Sequence, residues 1–194
     1  MVSSDRENEI KLAFPSPESA VARLVAAGAQ AAQGRAFEDN VLFDLPDRPL
    51  TRSGRLLRLR EYGGRSVLTF KAPVPGEHRH KVRLEHELAI PDPVAMRAIL
   101  LGLGFAAVYR YQKYRATYSL LGVEAAVDET AIGTFVELEG APEDVDRAAA
   151  VLGAVPSDFI RASYRDLQEK DAAARGTVAG DLLLPSCGHR EPGA

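Results

Sequence analysis

Two Glu-x-Glu pairs stand near opposite ends of a 194-residue chain, in Glu7-Asn8-Glu9-Ile10-Lys11 and in Phe135-Val136-Glu137-Leu138-Glu139-Gly140. In an extended strand, residues two apart project from the same face. Each pair therefore aims two carboxylates into one space, while Ile10, Leu12, Val136 and Leu138 point the other way. Four hard oxygen ligands of this kind suit Mg²⁺ or Mn²⁺. Between the pairs runs a series of the opposite sign, also at period two: Lys11, Arg58 and Arg60, Lys71, Lys81 and Arg83, then Lys113 and Arg115. The intervening residues are mostly apolar, as in Leu57 and Leu59, Leu68 and Phe70, Val82 and Leu84. A strand that turns its charged face to water can show this alternation, but such a face mixes signs and includes Thr, Ser and Gln. Here most strands carry a block of one sign, as expected of strands that line a shared interior. Cations gathered around a cavity need an anion. The economical occupant is a polyphosphate, bound by Arg forks and Lys ammonium groups, with a divalent metal bridging phosphate to carboxylate.

The element that can position these residues is a closed antiparallel β-barrel. Each strand alternates inward and outward residues, and a barrel of about eight strands is wide enough to hold a small ligand. The spacing predicts strands near 6–14, 36–45, 55–61, 65–72, 79–90, 106–120, 123–129 and 133–139. Helices are predicted after Ser16-Pro17, at 94–103, and near 142–152 and 157–170, giving an α+β fold with helices packed on an apolar exterior. Tyr62-Gly63-Gly64 reads as a hairpin turn, and Pro46 to Pro49 as a polar turn in which Asp44 and Asp47 serve turn geometry and not ligand binding. His86 alternates with Glu85 and Glu87 and should face outward. So should Arg110, which is one residue off the parity of Lys113 and Arg115.

These residues also resemble a known family. The E-x-E-x-K of Glu7 to Lys11, Arg58-Leu59-Arg60, Thr69-Phe70-Lys71, Lys113-Tyr114-Arg115, Asp128 and the G-x-F-V-E-L-E run ending at Glu139 look like the CYTH superfamily, also called triphosphate tunnel metalloenzymes. The resemblance spans roughly residues 5 to 168, and Ser163-Tyr164-Arg165-Asp166-Leu167 is most similar to its class IV adenylate cyclase branch. It implies a triphosphate tunnel in which Lys11, Arg58, Arg60, Lys71, Arg83, Lys113 and Arg115 contact the phosphates. It also implies that Glu7, Glu9, Asp128, Glu137 and Glu139 hold Mg²⁺ or Mn²⁺. The strand Lys81 to Glu87 resembles the family's R-x-E-x-E strand, with Lys81, Arg83, Glu85 and Glu87 on the inward face, where its acidic and basic residues either pair with each other or contact the ligand. Where the family often has Tyr-Phe-Asp, this chain has Leu42-Phe43-Asp44, so the tyrosine is missing.

The implied activity is metal-dependent hydrolysis of inorganic triphosphate, thiamine triphosphate or ATP. The alternatives are a class IV cyclase that converts ATP to cyclic AMP and pyrophosphate, and a non-catalytic polyphosphate or nucleotide binder. Both carboxylate pairs are present, which favours an enzyme. No serine has a nucleophile-elbow context, and Cys187 lies in a Gly/Ala/Pro-rich tail expected to be disordered from residue 171 to 194, so residues 1 to 170 form the expected domain. Composition agrees. With 46% hydrophobic residues and a net charge of -3, the chain can build a core and is not a general nucleic-acid binder. One cysteine excludes an internal disulfide and points to a reducing cytoplasm, and no apolar run suggests export or membrane spanning.

Overall fold

A computed structural model describes residues 5–76 and 78–185. Eight strands close into one antiparallel barrel: β1 (Asp5–Phe14), β2 (Gln30–Asp44), β3 (Leu56–Tyr62), β4 (Arg65–Pro73), β5 (Lys81–Ala89), β6 (Ala106–Leu120), β7 (Val123–Thr130) and β8 (Gly133–Glu139). Around the wall the order is β1-β5-β4-β3-β2-β6-β7-β8, with β8 pairing back to β1. The β3–β4 connection is the expected two-residue turn. Gly63 and Gly64 both take positive φ, 57° and 75°, the conformation that matches the twist of the flanking strands.

The barrel is apolar outside and charged inside. Helices α1 (Pro17–Ala26) and α4 (Pro142–Val151) cover one outer side. There Ala20, Leu24, Val145 and Ala148 pack on Ile10, Leu12, Val136 and Leu138. Helix α3 (Pro93–Gly102) brings Leu100 against Phe43 and Leu59 on the other side. Burial of this apolar surface at about 25 cal/mol per Å² drives closure, so the polar faces of the strands are left turned inward.

Three local features differ from the sequence reading, each for a visible reason. Strand β2 starts at Gln30, six residues early, because its first half pairs through bulges with the long β6. The turn after Asp44 contains a short helix, α2 (Pro49–Arg52). The helix expected from 157 begins instead at Tyr164, as α5 (Tyr164–Ala174), after a 3-10 turn at Pro156–Asp158. The segment between them is spent on β1, where Ile160 exchanges two backbone hydrogen bonds of 2.9 Å with Lys11. Ser163 then caps α5 reciprocally with Asp166. The chain after 170 also does more than the sequence suggested. It continues α5 to Ala174, and Leu182, almost fully buried, joins the edge of β6 through bonds to Arg110 and Gln112. Cys187 lies outside the described residues.

Asp44 is a structural anchor, as expected of a turn residue. Fully buried, it accepts from the Leu45, Leu50 and Thr51 amides at 2.8, 3.1 and 2.8 Å and from the Thr51 hydroxyl at 2.7 Å. Burial raises its pKa, but these donors outweigh that and hold it below the usual aspartate value. Asp44→Ala is expected to lower unfolding free energy by about 1.5–3 kcal/mol, the range for hydrogen bonds to a charged group. The shift in the urea midpoint measures it, and an unchanged midpoint contradicts the anchoring role.

Candidate functional site

The lumen is a cavity of about 590 Å³. Strand register determines which charges meet in it. Glu9 lies opposite Lys81 on β5 and Glu139 on β8, Lys11 lies opposite Glu137, and Lys71 lies opposite Glu85. All the cations named from period-two spacing line this space: Lys11, Arg58, Arg60, Lys71, Lys81, Arg83, Lys113 and Arg115.

The two Glu-x-Glu pairs divide between two clusters. In the first, the carboxylates of Glu7, Glu85 and Glu139 come within 4.8 Å of one another. Lys71 Nζ bonds both oxygens of Glu7 at 2.6 Å and lies 3.1 Å from Glu85. One ammonium does not neutralise three carboxylates. Burial, then the neighbouring charges of Glu9 and Glu139, push Glu7 up to about 8 against the pull of Lys71. Burial, with Glu85 and Glu9, pushes Glu139 up to about 7. A compact set of three carboxylates that resists ionisation fits a hard divalent cation, which would supply the missing charge. Glu85, left between pairing and ligand contact by the sequence, belongs to this set.

The second cluster holds the other members. Glu9 bonds Lys11 and, at 2.9 Å, Lys81. Glu137 lies 3.2 Å from Lys11 and bonds Arg115. Burial disfavours both charges, yet the surrounding lysines and Arg115 hold both carboxyls well below the usual range. Asp128, fully buried, accepts two bonds of 2.6 Å from Arg115, one of 2.8 Å from Lys113 and one of 2.7 Å from the Tyr164 hydroxyl. The structure thus does not bring Glu9, Asp128 or Glu137 into the three-carboxylate group. Each bonds lumen cations instead, and Glu9 and Glu137 line the cavity beside them.

Nearly every lumen cation has such a partner. Arg58 and Arg60 share Glu87, at 3.6 and 3.4 Å, and Arg58 also donates to the hydroxyls of Tyr111 and Thr69. Among the described residues, Arg83 is the one member of the series with no carboxylate within ion-pair distance. It donates to the Gly54 carbonyl and does not pair with Glu85.

Two contributors escaped the sequence reading. Glu38 is fully buried 3.4 Å from Lys113, and burial is outweighed by Lys113, Arg115, Arg58 and Arg60, which lower it to about 2. Its signal was available, because Glu38 and Asn40 share the parity of a strand facing the lumen. Tyr164, named only within the Ser163–Leu167 resemblance, had no parity signal, since it enters from a helix outside the barrel, its ring 5.3 Å from Lys11 Nζ and 5.2 Å from Lys113 Nζ. Glu87 stands on the inward face, where its alternation with His86 put it, and pairs with Arg58 and Arg60. The histidines lie elsewhere. His80 bonds Asp146 at 2.9 Å, and His86 stacks on outward-facing Phe70. Arg110 points outward to Asp39, as its parity required.

Comparison with known proteins agrees with this geometry. The CYTH domain model matches residues 5–154. A candidate adenylate cyclase of Methanocaldococcus jannaschii is 29% identical over 173 residues, which are 84% of this chain and 98% of the relative. The solved PH1819 protein of Pyrococcus horikoshii OT3 superposes with a TM-score of 0.71 at 26% identity, over 85% of this chain and 99% of that one. A Hippeastrum protein, described as a candidate adenylyl cyclase with a dominant triphosphatase activity, shares the fold at TM-score 0.57 and 18% identity, over 90% of this chain and 97% of that one.

The raised carboxyls of Glu7 and Glu139 make a signed prediction. The native state keeps protons there that the unfolded chain releases near the ordinary value, so their contribution to stability is full below about pH 4.5 and is lost as pH rises through about 7 and 8. With a chelator present, the double variant Glu7→Gln/Glu139→Gln should therefore lose less melting temperature than wild type between about pH 5 and 8. Calorimetric melting across that window checks it, and parallel pH profiles for the two proteins contradict it.

Proposed function

The chain belongs to the CYTH family, and on that premise we propose that it is a divalent-metal-dependent enzyme that hydrolyses a triphosphate held in the barrel lumen. The observation that carries this reading is the convergence of Glu7, Glu85 and Glu139 within 4.8 Å at a cavity lined by Lys and Arg. Those three carboxylates would hold Mg²⁺ or Mn²⁺, which in such sites neutralises phosphoryl charge and orients the phosphate. Lys11, Arg58, Arg60, Lys71, Arg83, Lys113 and Arg115 bind and align the phosphate chain, which lowers the barrier by positioning and charge stabilisation. Glu9, Glu137 and Asp128 keep the heads of Lys11, Lys81, Lys113 and Arg115 in place. They act as positioning residues in this assignment, whereas the family resemblance made them metal ligands. Water adds to the terminal phosphorus, the bond from that phosphorus to the bridging oxygen breaks, the diphosphate portion leaves with that oxygen, inorganic phosphate is formed and a proton passes to solvent. The functional unit runs from β1 to at least Leu182, past the 5–154 match, because Tyr164 and Leu182 complete the wall. No helix among the described residues is long and apolar enough to cross a membrane, and a cytoplasmic setting is part of this reading.

The name of the M. jannaschii relative favours a second reading. In it the ribose 3′-hydroxyl of ATP attacks the α-phosphorus and pyrophosphate leaves. Incubation with Mg²⁺ or Mn²⁺ and each of inorganic triphosphate, thiamine triphosphate and ATP, followed by separation of phosphate, pyrophosphate and cyclic AMP, decides between them. Phosphate as the dominant product supports hydrolysis. Cyclic AMP with pyrophosphate assigns the chain to the cyclases.

A further prediction separates the two carboxylate clusters. Glu85→Gln or Glu139→Gln should raise the Mg²⁺ or Mn²⁺ concentration needed for half-maximal turnover by tenfold or more. Glu137→Gln should act mainly on triphosphate KM through Lys11 and Arg115. If Glu137→Gln shifts the metal requirement and Glu85→Gln does not, the metal assignment is wrong.

A further inference from the structure

Cations also gather outside the lumen. A second hollow, open to solvent and of about 720 Å³, lies where the β4–β5 connection meets the segment before α5, and Gly76, His78, Arg79, His80, Lys81 and Arg161 line it. Among the described residues its lining contains no carboxylate and no apolar side chain. Asp146 on α4 spends both oxygens on two members of the set, one lying 2.9 Å from His80 Nε2 and the other 3.1 Å from Arg79 Nη1. The Phe159 ring lies 6.1 Å from the His80 ring and 5.7 Å from the Arg79 guanidinium carbon. Held between that acid and that ring, His80 is only 5% exposed. Gly76 makes the bend that brings His78 in. Its φ is 121°, and a Cβ there would stand 3.2 Å from His78 Nε2, so a larger residue would be strained and crowded at once.

The charges of this hollow do not balance. Arg79 has Asp146. Arg161 donates to the His78 carbonyl at 2.8 Å and, among the described residues, has no carboxylate within ion-pair distance. Lys81 reaches inward to Glu9 at 2.9 Å, an acid it shares with Lys11. Three cations thus have one acid to themselves and a share in another. Their mutual repulsion is relieved by an anion. Guanidinium forks and an ammonium group make charge-assisted bonds that suit a tetrahedral oxyanion, whereas an apolar ligand finds nothing here to bury against and a metal ion is repelled. Lys81 also lines the lumen, so the hollow lies one side chain away from the triphosphate space.

We propose that this hollow is a second oxyanion site, separate from the lumen, that takes inorganic phosphate on Arg161, Arg79 and Lys81 with His78 beside them. The site stands whether the lumen hydrolyses a triphosphate or cyclises ATP. Calorimetric titration of the full chain with inorganic phosphate, in the presence of a chelator so that no metal contributes, tests it. Wild type should bind phosphate at a site that Arg161→Gln weakens about tenfold and that Arg58→Ala, a change confined to the lumen, alters less than twofold. Arg79→Gln should act in the same direction as Arg161→Gln. Arg161→Lys keeps the charge without the fork and should bind phosphate at least threefold more tightly than Arg161→Gln. Equal losses in the Lys and Gln variants mean that Arg161 only braces the loop, and the site is then overturned. Phosphate binding that falls with Arg58→Ala and not with Arg161→Gln places the anion in the lumen alone, which overturns the second site and leaves the lumen reading intact. Absence of phosphate binding in wild type overturns the second site as well.

Discussion

The structure depends on burying charge in pairs. Moving an ion out of water costs several kcal/mol even after relaxation, and removing one partner of a buried pair costs about 3–5 kcal/mol because the other is stranded. This barrel turns its apolar residues outward to α1, α3 and α4, so its polar faces have nowhere to go but the lumen. Closure is tolerable because register puts opposite signs across from one another: Lys11 beside Glu137, Lys71 beside Glu85, Glu9 beside Lys81. The ligand-binding surface and the solution to the folding problem are therefore the same set of side chains.

That identity shapes how an anion can enter. Most lumen cations already have a carboxylate, so a phosphate oxygen must take over hydrogen bonds that Glu7, Glu87 or Glu137 now accept. The displaced carboxylates would then repel the incoming charge. A divalent cation beside Glu7, Glu85 and Glu139 resolves the conflict, since it holds the acids and attracts the phosphate. Arg83, which among the described residues bonds a backbone carbonyl and no carboxylate, can be recruited without unpairing an acid. Asp128 sits at the opposite extreme, saturated by Lys113, Arg115 and Tyr164, and serves as a fixed point from which those cations reach out.

Period-two alternation made the strands and the inward face legible, because it depends only on backbone geometry. It identified the eight lumen cations and placed Arg110 and His86 outside. It could not show register, and register decides partners. Alternation alone therefore leaves Glu85 between two roles, and its place opposite Lys71 and beside Glu7 decides between them. Glu38 obeyed the same alternation but stood among the unremarkable residues of β2. Local spacing misses the start of α5 because residues near Ile160 carry a helical pattern yet complete the β1 edge, a tertiary demand that spacing does not encode. Tyr164 was beyond any such reading, since a helical residue reaches the lumen only through the path its helix takes across the barrel.

The division of each Glu-x-Glu pair follows from the same geometry. Two residues along a strand span about 6.6 Å, so the two carboxylates of one pair meet different cations, Lys71 at Glu7 and Lys11 with Lys81 at Glu9. Because β1 and β8 run antiparallel with Glu9 opposite Glu139, the inner positions Glu9 and Glu137 flank Lys11. Glu7 and Glu139 are left to converge on Glu85 from the adjoining strand β5. One motif thus supplies two kinds of carboxylate. The inner one is kept ionised by lysine and arginine, and the outer one is kept short of neutralising charge. A residue of the first kind orders the phosphate-binding cations, while a residue of the second kind creates the demand for a metal, so the E-x-E spacing couples the two halves of the site.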